Sequence, residues 1–504
     1  FSFSIRENFD MDTGFLKLNN AGSAPMTSLP CPPFAEFRRM LTDAVRTRGW
    51  HIASFFAMPE EKNGARLIAV LTDDASACIR LLSSHVSGSY AALTPECAQF
   101  HWFEREIFEQ TGIIPEGHPW LKPIRFTAPE AKPGVADYFR LHGSAAHEVA
   151  VGPVHAGVIE PGHFRFQCMG EDVYTLEISL GYQHRGIEKM LRGGPDKKTL
   201  HVMETVAGDT STASAGAYCS ILEALDPECR VSARSEAIRA VAWELERIAN
   251  HVGDLGALAG DVAYLPTASY CGRIRGEFLN MTATICGNRF GRGLIVPGGV
   301  GCDIEMGRVL KIRDWMDRVT PELENALAIM FDSPSVLDRL ENTGVVSVET
   351  AREIGLVGVA ARPSGIRRDV RMNLPYGWYR TAAPAACCAG SGDVFARAEV
   401  RRRELTESLR FVRNLIENLP AEEETRPLRK RLPDTIAVSL SEAWRGALCH
   451  TAVTAHDGSF AAYKIVDPSF HNWFGLAMAL RGEQISNFPI CNKSFNLSYC
   501  GHDL

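Results

Sequence analysis

The sequence predicts an α+β chain of two or three domains, a small α+β domain followed by a larger, mainly helical one. Three observations carry this. The length, 504 residues, exceeds what one ordinary core supports. The composition, 45% hydrophobic and 22% charged, is that of a globular protein. Apolar residues first cluster in short β-rich runs and later recur every three or four positions.

The first domain is placed at residues 1–125, a linker at 126–137 and the second domain at 138–504. Phe34, Phe37, Leu41 and Val45 have helical spacing, and the runs 52–58 and 67–71 flank Asn63-Gly64, a hairpin signal. Pro123, Pro129 and Pro133 punctuate the linker, and residues 149–166, rich in Gly and Pro, read as a loop or hairpin. In 235–258, Ile238, Val241, Leu245, Ile248, Val252 and Leu255 form one face of a long helix. Leu405, Leu409, Val412, Ile416 and Leu419 mark a second helix, with Arg401–Arg403 expected on its solvated face. The charged run 422–431 is expected to be an exposed connection.

A net charge of -7 argues against nucleic acid as a partner. No run approaches the roughly 20 apolar residues of a spanning helix, so membrane association is expected through a partner subunit. The start shows no basic flank followed by an apolar run and predicts no signal peptide. The 14 cysteines are scattered, as buried small hydrophobes in a reduced compartment would be, and no C-x-x-C occurs. Adjacent Cys387 and Cys388 read as loop or core residues. Gly298-Gly299 belongs to no phosphate-binding pattern, so no nucleotide is expected.

Several short motifs follow in order: Trp102-Phe103-Glu104-Arg105-Glu106-Ile107-Phe108, Gly117-His118-Pro119, Gly152-Pro153-Val154-His155, His184-Arg185-Gly186-Ile187-Glu188-Lys189, Glu244-Leu245-Glu246-Arg247, Pro297-Gly298-Gly299-Val300 and Arg362-Pro363-Ser364-Gly365. The first two resemble the 30 kDa subunit of respiratory complex I and the others its 49 kDa subunit. Both in one chain resemble the large subunit of membrane-bound [NiFe] hydrogenases of the formate hydrogenlyase and hydrogenase-4 type. The resemblance implies a β-rich lobe at the start of the helical domain and a position on the cytoplasmic side of the cell membrane. It also implies partners: a small subunit with a [4Fe–4S] cluster, a ferredoxin-like Fe–S subunit and an ion-translocating, antiporter-like membrane arm.

In the hydrogen-evolving relatives four thiolates hold nickel and iron. Ala207 and Thr210 stand where the first two cysteines would be, and Cys491 and Cys500 are nine apart rather than three. No metal and no other cofactor is therefore expected on this chain, with a quinone left open. In the quinone-reducing relatives a His and a Tyr serve the quinone head. His163 matches the His, Gly208 stands at the Tyr position, and Gly291 is the nearest match to a second His.

The resemblance implies roles for further residues. Arg185 and Glu188 would lie beside the partner's Fe–S cluster, against the alternative of an ion pair on one helix face. His163 and Asp209 are candidates to carry protons in catalysis. Glu244 and His251 are candidates for a proton relay, with one of Glu244 and Glu246 expected to face the bundle interior with a raised pKa. Asp209, Asp503 and Glu188 would form an acidic cluster. The expected function is redox coupling to ion translocation, as a subunit of an oxidoreductase complex. The alternative is a non-catalytic scaffold that links a redox module to the membrane arm.

Overall fold

The computed structural model describes residues 9–10, 13–60, 64–154, 160–421 and 426–504. The turn at Asn63 and part of the loop before His163 lie outside these residues. The fold is α+β, with a sheet-based N-terminal region and a helical domain after it.

In the first region, strands Phe15–Leu18, Cys78–Ser87, Gly64–Asp73 and His51–Pro59 pair in that spatial order, all antiparallel. Helix Phe34–Arg46 forms at the expected spacing and buries Phe37, Leu41 and Ala44 against the sheet. The helix His101–Thr111 carries the first motif and ends at Gly112, whose φ of 75° suits a residue without a Cβ.

That motif is a set of inward clamps. Glu104 accepts from the backbone N–H groups of Leu93 and Thr94 at 2.8 and 2.9 Å. Glu109, one residue past the motif, does the same for Ile124, Arg125 and Thr127. Arg105 donates to the carbonyls of Lys122 and Pro123 and lies over Trp102 and Trp120. Glu106 crosses to the second domain, where Lys464 Nζ meets both its oxygens at 2.6 and 2.7 Å.

The helical domain opens with a three-stranded antiparallel sheet of Ala146–Val151, His163–Met169 and Asp172–Ser179, so strands bracket the segment read as a loop or hairpin. A second sheet holds Phe460–Val466, Gly446–Thr454 and Thr435–Ala443, and its last strand is Gly22–Pro25 from the N-terminal region. Residues 22–25, assigned from sequence to the first domain, thus complete a sheet of the second. The two domains share a buried backbone ladder as well as side-chain contacts.

The long helix Ala233–Asp261 starts at Ser232, whose side chain accepts from Ser235 N–H, and all six of its predicted stripe residues are buried. Leu265–Cys286, Met306–Phe331 and Val394–Glu417 complete the bundle around it. Of the arginines at 401–403, Arg402 and Arg403 are exposed as expected, whereas Arg401 is not. Arg401 is buried and paired with Asp254 of the long helix at 2.9 Å, and Arg402 and Arg403 share Glu399. The pattern misled because the partner of Arg401 lies on another helix. Described residues of the run 422–431 are largely exposed, as expected. Among the described residues, no helix is long and apolar enough to cross a membrane.

Candidate functional site

The segment from Glu204 to Thr210 joins the short helix Thr199–Met203 to the helix Ser211–Ala224. Arg185 organises this loop from outside. Its guanidinium donates to the carbonyls of Thr205, Val206 and Cys500 at 2.8, 2.7 and 3.1 Å. Its backbone N–H, and that of Gly186, reach the carbonyl of Leu504. Arg185 does not pair with Glu188. It precedes the helix Ile187–Leu191, and Gly186 in the left-handed region turns the chain between them. Glu188 instead accepts from Ile465 N–H and faces Lys464 at 2.9 Å, joining the seam held by Glu106.

Ala207 and Thr210 are buried, whereas Gly208 between them is exposed. Nothing lies within 4 Å of where a Gly208 side chain would begin. The Cys500 thiol lies beside Gly208, receiving its backbone N–H and donating to Glu160. Burial, then the Glu160 carboxylate, pushes this thiol up to about 11. Cys491 is in different surroundings, packed on Gly344 and facing Arg397. Among the described residues no group of three or more His, Cys, Asp or Glu side chains could hold a metal ion.

Asp209 is bidentate to Arg445, both contacts at 2.7 Å, and its carbonyl accepts from Asn250 and Trp444. Arg445 is stacked on Trp444, 3.9 Å from the ring centre. Burial works against the Asp209 charge, yet the Arg445 guanidinium holds the carboxyl below its usual range. Asp209 is therefore a fixed anion, not a group poised to exchange protons. The acidic cluster expected from Asp209, Asp503 and Glu188 does not form. Asp503 accepts from the N–H groups of Gly181 and Gln183, so each carboxylate has its own partners.

His163 begins the central strand of the three-stranded sheet. Its Nδ1 lies 3.2 Å from the Gly152 carbonyl, its ring packs near Tyr138, and its Nε2 has no partner among the described residues. Burial holds the ring below the usual imidazole range. His163 and Asp209 thus keep separate partners. The link from the His163 strand to the Gly208 loop runs through Gly162, packed on Tyr499, and through Glu160, which accepts from Tyr499 N–H at 3.2 Å. Gly291 could not hold a histidine in place: its φ is 71°, and a Cβ there would meet Thr212 at 2.5 Å.

The relay candidates fall differently from expectation. Glu244 is fully buried and receives Arg371, Arg247, Tyr379 and Ser408. Burial opposes its charge, but the two arginines prevail and hold the carboxyl below its usual range. Asp369, Glu404, Glu442 and Arg362 extend this ion network. His251 joins it through Nε2, 2.8 Å from Glu404, and burial lowers its pKa. Glu246 is the member of the pair with the raised value. Burial pushes it up to about 7, with the Asp209 charge adding to the shift.

Residues 39–135 match the model of the respiratory-chain NADH dehydrogenase 30 kDa subunit, and residues 261–438 that of its 49 kDa subunit. The chain thus carries both complex I domains fused in one polypeptide. Among its relatives, hydrogenase-4 component G of Escherichia coli K12 is 26% identical over 90% of this chain and 81% of its own length. Formate hydrogenlyase subunit 5 of the same organism is 26% identical over 81% and 76%. The carbon monoxide-induced hydrogenase of Rhodospirillum rubrum is 28% identical over 70% and 98%.

Proposed function

We propose that this chain is the large peripheral subunit of a membrane-bound, complex I-like oxidoreductase that couples electron transfer at a partner's [4Fe–4S] cluster to ion translocation without a nickel–iron centre. The partner set is the one that the motif resemblance implies: a cluster-bearing small subunit, a ferredoxin-like subunit and an antiporter-like membrane arm, on the cytoplasmic side of the membrane. The observation that carries the reading is the chemistry of the loop 207–210. Its first and last residues, Ala207 and Thr210, supply no thiolate, and Cys491 and Cys500 have different neighbours. The residues present do not fit a four-thiolate centre.

What surrounds Gly208 is nevertheless polar. Glu160, Arg185, Asp209 and the Cys500 thiol border the loop, and Gly208 itself is exposed. A scaffold would be expected to fill such a position with apolar atoms. Arg185, exposed and bound to three carbonyls, presents a fixed cation on the outer face of the loop. Beside a partner's cluster such a charge favours the reduced state. A small acceptor, quinone-like in shape, would then bind between the His163 strand and Gly208. Here His163 serves as a neutral imidazole and Asp209 as the anchor of Arg445.

The test is turnover of the purified complex with the partner subunits present. Asp209→Asn and His163→Ala are expected to lower electron transfer by at least about tenfold, the scale of a lost positioned group. Unchanged turnover in both, in complexes assembled as wild type, would favour the scaffold.

A further inference from the structure

Glu246 lies on the long helix, two residues from Glu244, and points the other way. Its Oε2 accepts from Thr212 N–H at 2.7 Å, and its Oε1 accepts from Ala213 N–H at 3.3 Å. These are two of the N–H groups left free in the first turn of the helix Ser211–Ala224. No cation pairs with Glu246 among the described residues. It shares a cavity of about 20 Å³ with Asp209, Asn250, Thr212, Arg275 and Arg289, room for a single water.

The groups facing it come from every side of that cavity. Asp209, from the loop, is already taken by Arg445. Arg275, from the next helix, packs its stem over Gly253, and its Nε has no partner among the described residues. Arg289, from the loop after that helix, lies over Phe290. From its own helix, Asn250 donates to the carbonyls of Asp209 and Glu246. The Thr212 side chain faces the carboxyl as well.

We propose that Glu246 is the group that stores and releases a proton beside the Gly208 loop, exchanging it with a water in the cavity it lines. The O–H bond on Oε1, the oxygen with the longer contact, breaks. The proton passes to the water and on to solvent or a bound acceptor, and the electron pair stays on the carboxylate. The two backbone N–H groups then hold the anion until a proton returns. The low-lying pKa of Asp209 and the raised one of Glu246 divide these two carboxyls into a fixed anion and an exchanger. The part Glu246 plays in turnover rests on the function proposed above; its titration does not.

Infrared difference spectroscopy of the purified complex, with this chain carrying carboxyl-labelled glutamate, tests it. Wild type is expected to show a carboxylic-acid band that is half lost near pH 7. Glu246→Gln should lack that band, while Glu244→Gln should keep it. Identical spectra in wild type and Glu246→Gln would overturn the proposal. In turnover, the limb of the wild-type pH profile near 7 should flatten in Glu246→Gln. A band that titrates beside an unchanged profile would also overturn it, since the proton would then not serve the site. Absence of redox turnover in wild type would fall on the proposed function and leave the spectroscopic result standing.

Discussion

Glu244 and Glu246 are two residues apart on one helix and end in opposite electrostatic environments. Glu244 looks into the bundle, where two arginines, a tyrosine and a serine keep it charged. Glu246 looks toward the loop 207–211, where it meets backbone N–H groups rather than a cation and burial favours its protonated form. Burial alone does not decide which carboxyl exchanges protons; the presence of a paired cation does. The network around Glu244 is a frame that ties the long helix to residues 362–371 and to Glu404, Ser408 and Glu442, whereas the surroundings of Glu246 leave chemical freedom.

The comparison can be broken most forcefully at Glu244. Glu244→Ala strands Arg371 and Arg247 in a dry interior, and a loss of about 3–5 kcal/mol is expected, the scale for removing one partner of a buried ion pair. Chemical denaturation of the full chain measures it. A loss under about 1 kcal/mol would mean the network does not need this carboxylate. At Glu246 the effect is smaller and of opposite pH sign. Its folded pKa, about 7, lies above the unfolded value of 4.5. The folded state therefore keeps a proton that the unfolded state has released, and stability falls as pH rises between these values. Glu246→Gln should remove that slope and raise stability at pH 8 by on the order of 1 kcal/mol, after allowance for partial exposure. Glu244 behaves inversely, its contribution being present above the unfolded value and lost as pH falls through the lower folded one. Parallel pH profiles for the two variants would contradict the contrast.

Much of the frame was legible in the sequence. The long helix and its stripe follow from apolar spacing, because a helix this well buried must repeat its core contacts every turn. The helix Phe34–Arg46 was legible for the same reason, and the two strands after it from their continuous apolar runs, since both are buried along nearly their whole length. The strand Gly22–Pro25 was not, because its ladder partner lies some 410 residues later and no local pattern marks it. Arg401 read as solvent-facing because a lone arginine does not reveal an Asp on a neighbouring helix. Arg185 and Glu188 had the spacing of a pair, but a left-handed glycine between them breaks the helix on which that spacing depends. Of the candidate site, the motif identities of Arg185, His163 and the loop 207–210 were visible. The Arg445 clamp on Asp209 and the lack of an ion-pair partner for Glu246 among the described residues come from long-range packing that spacing cannot encode.

The measurement closest to the central claim is elemental analysis of the intact purified complex, with nickel and iron counted against this chain. Iron at the level of the partner clusters, with nickel far below one atom per chain, is the expected result. One nickel per chain, lost when Cys491 and Cys500 are replaced, would contradict it.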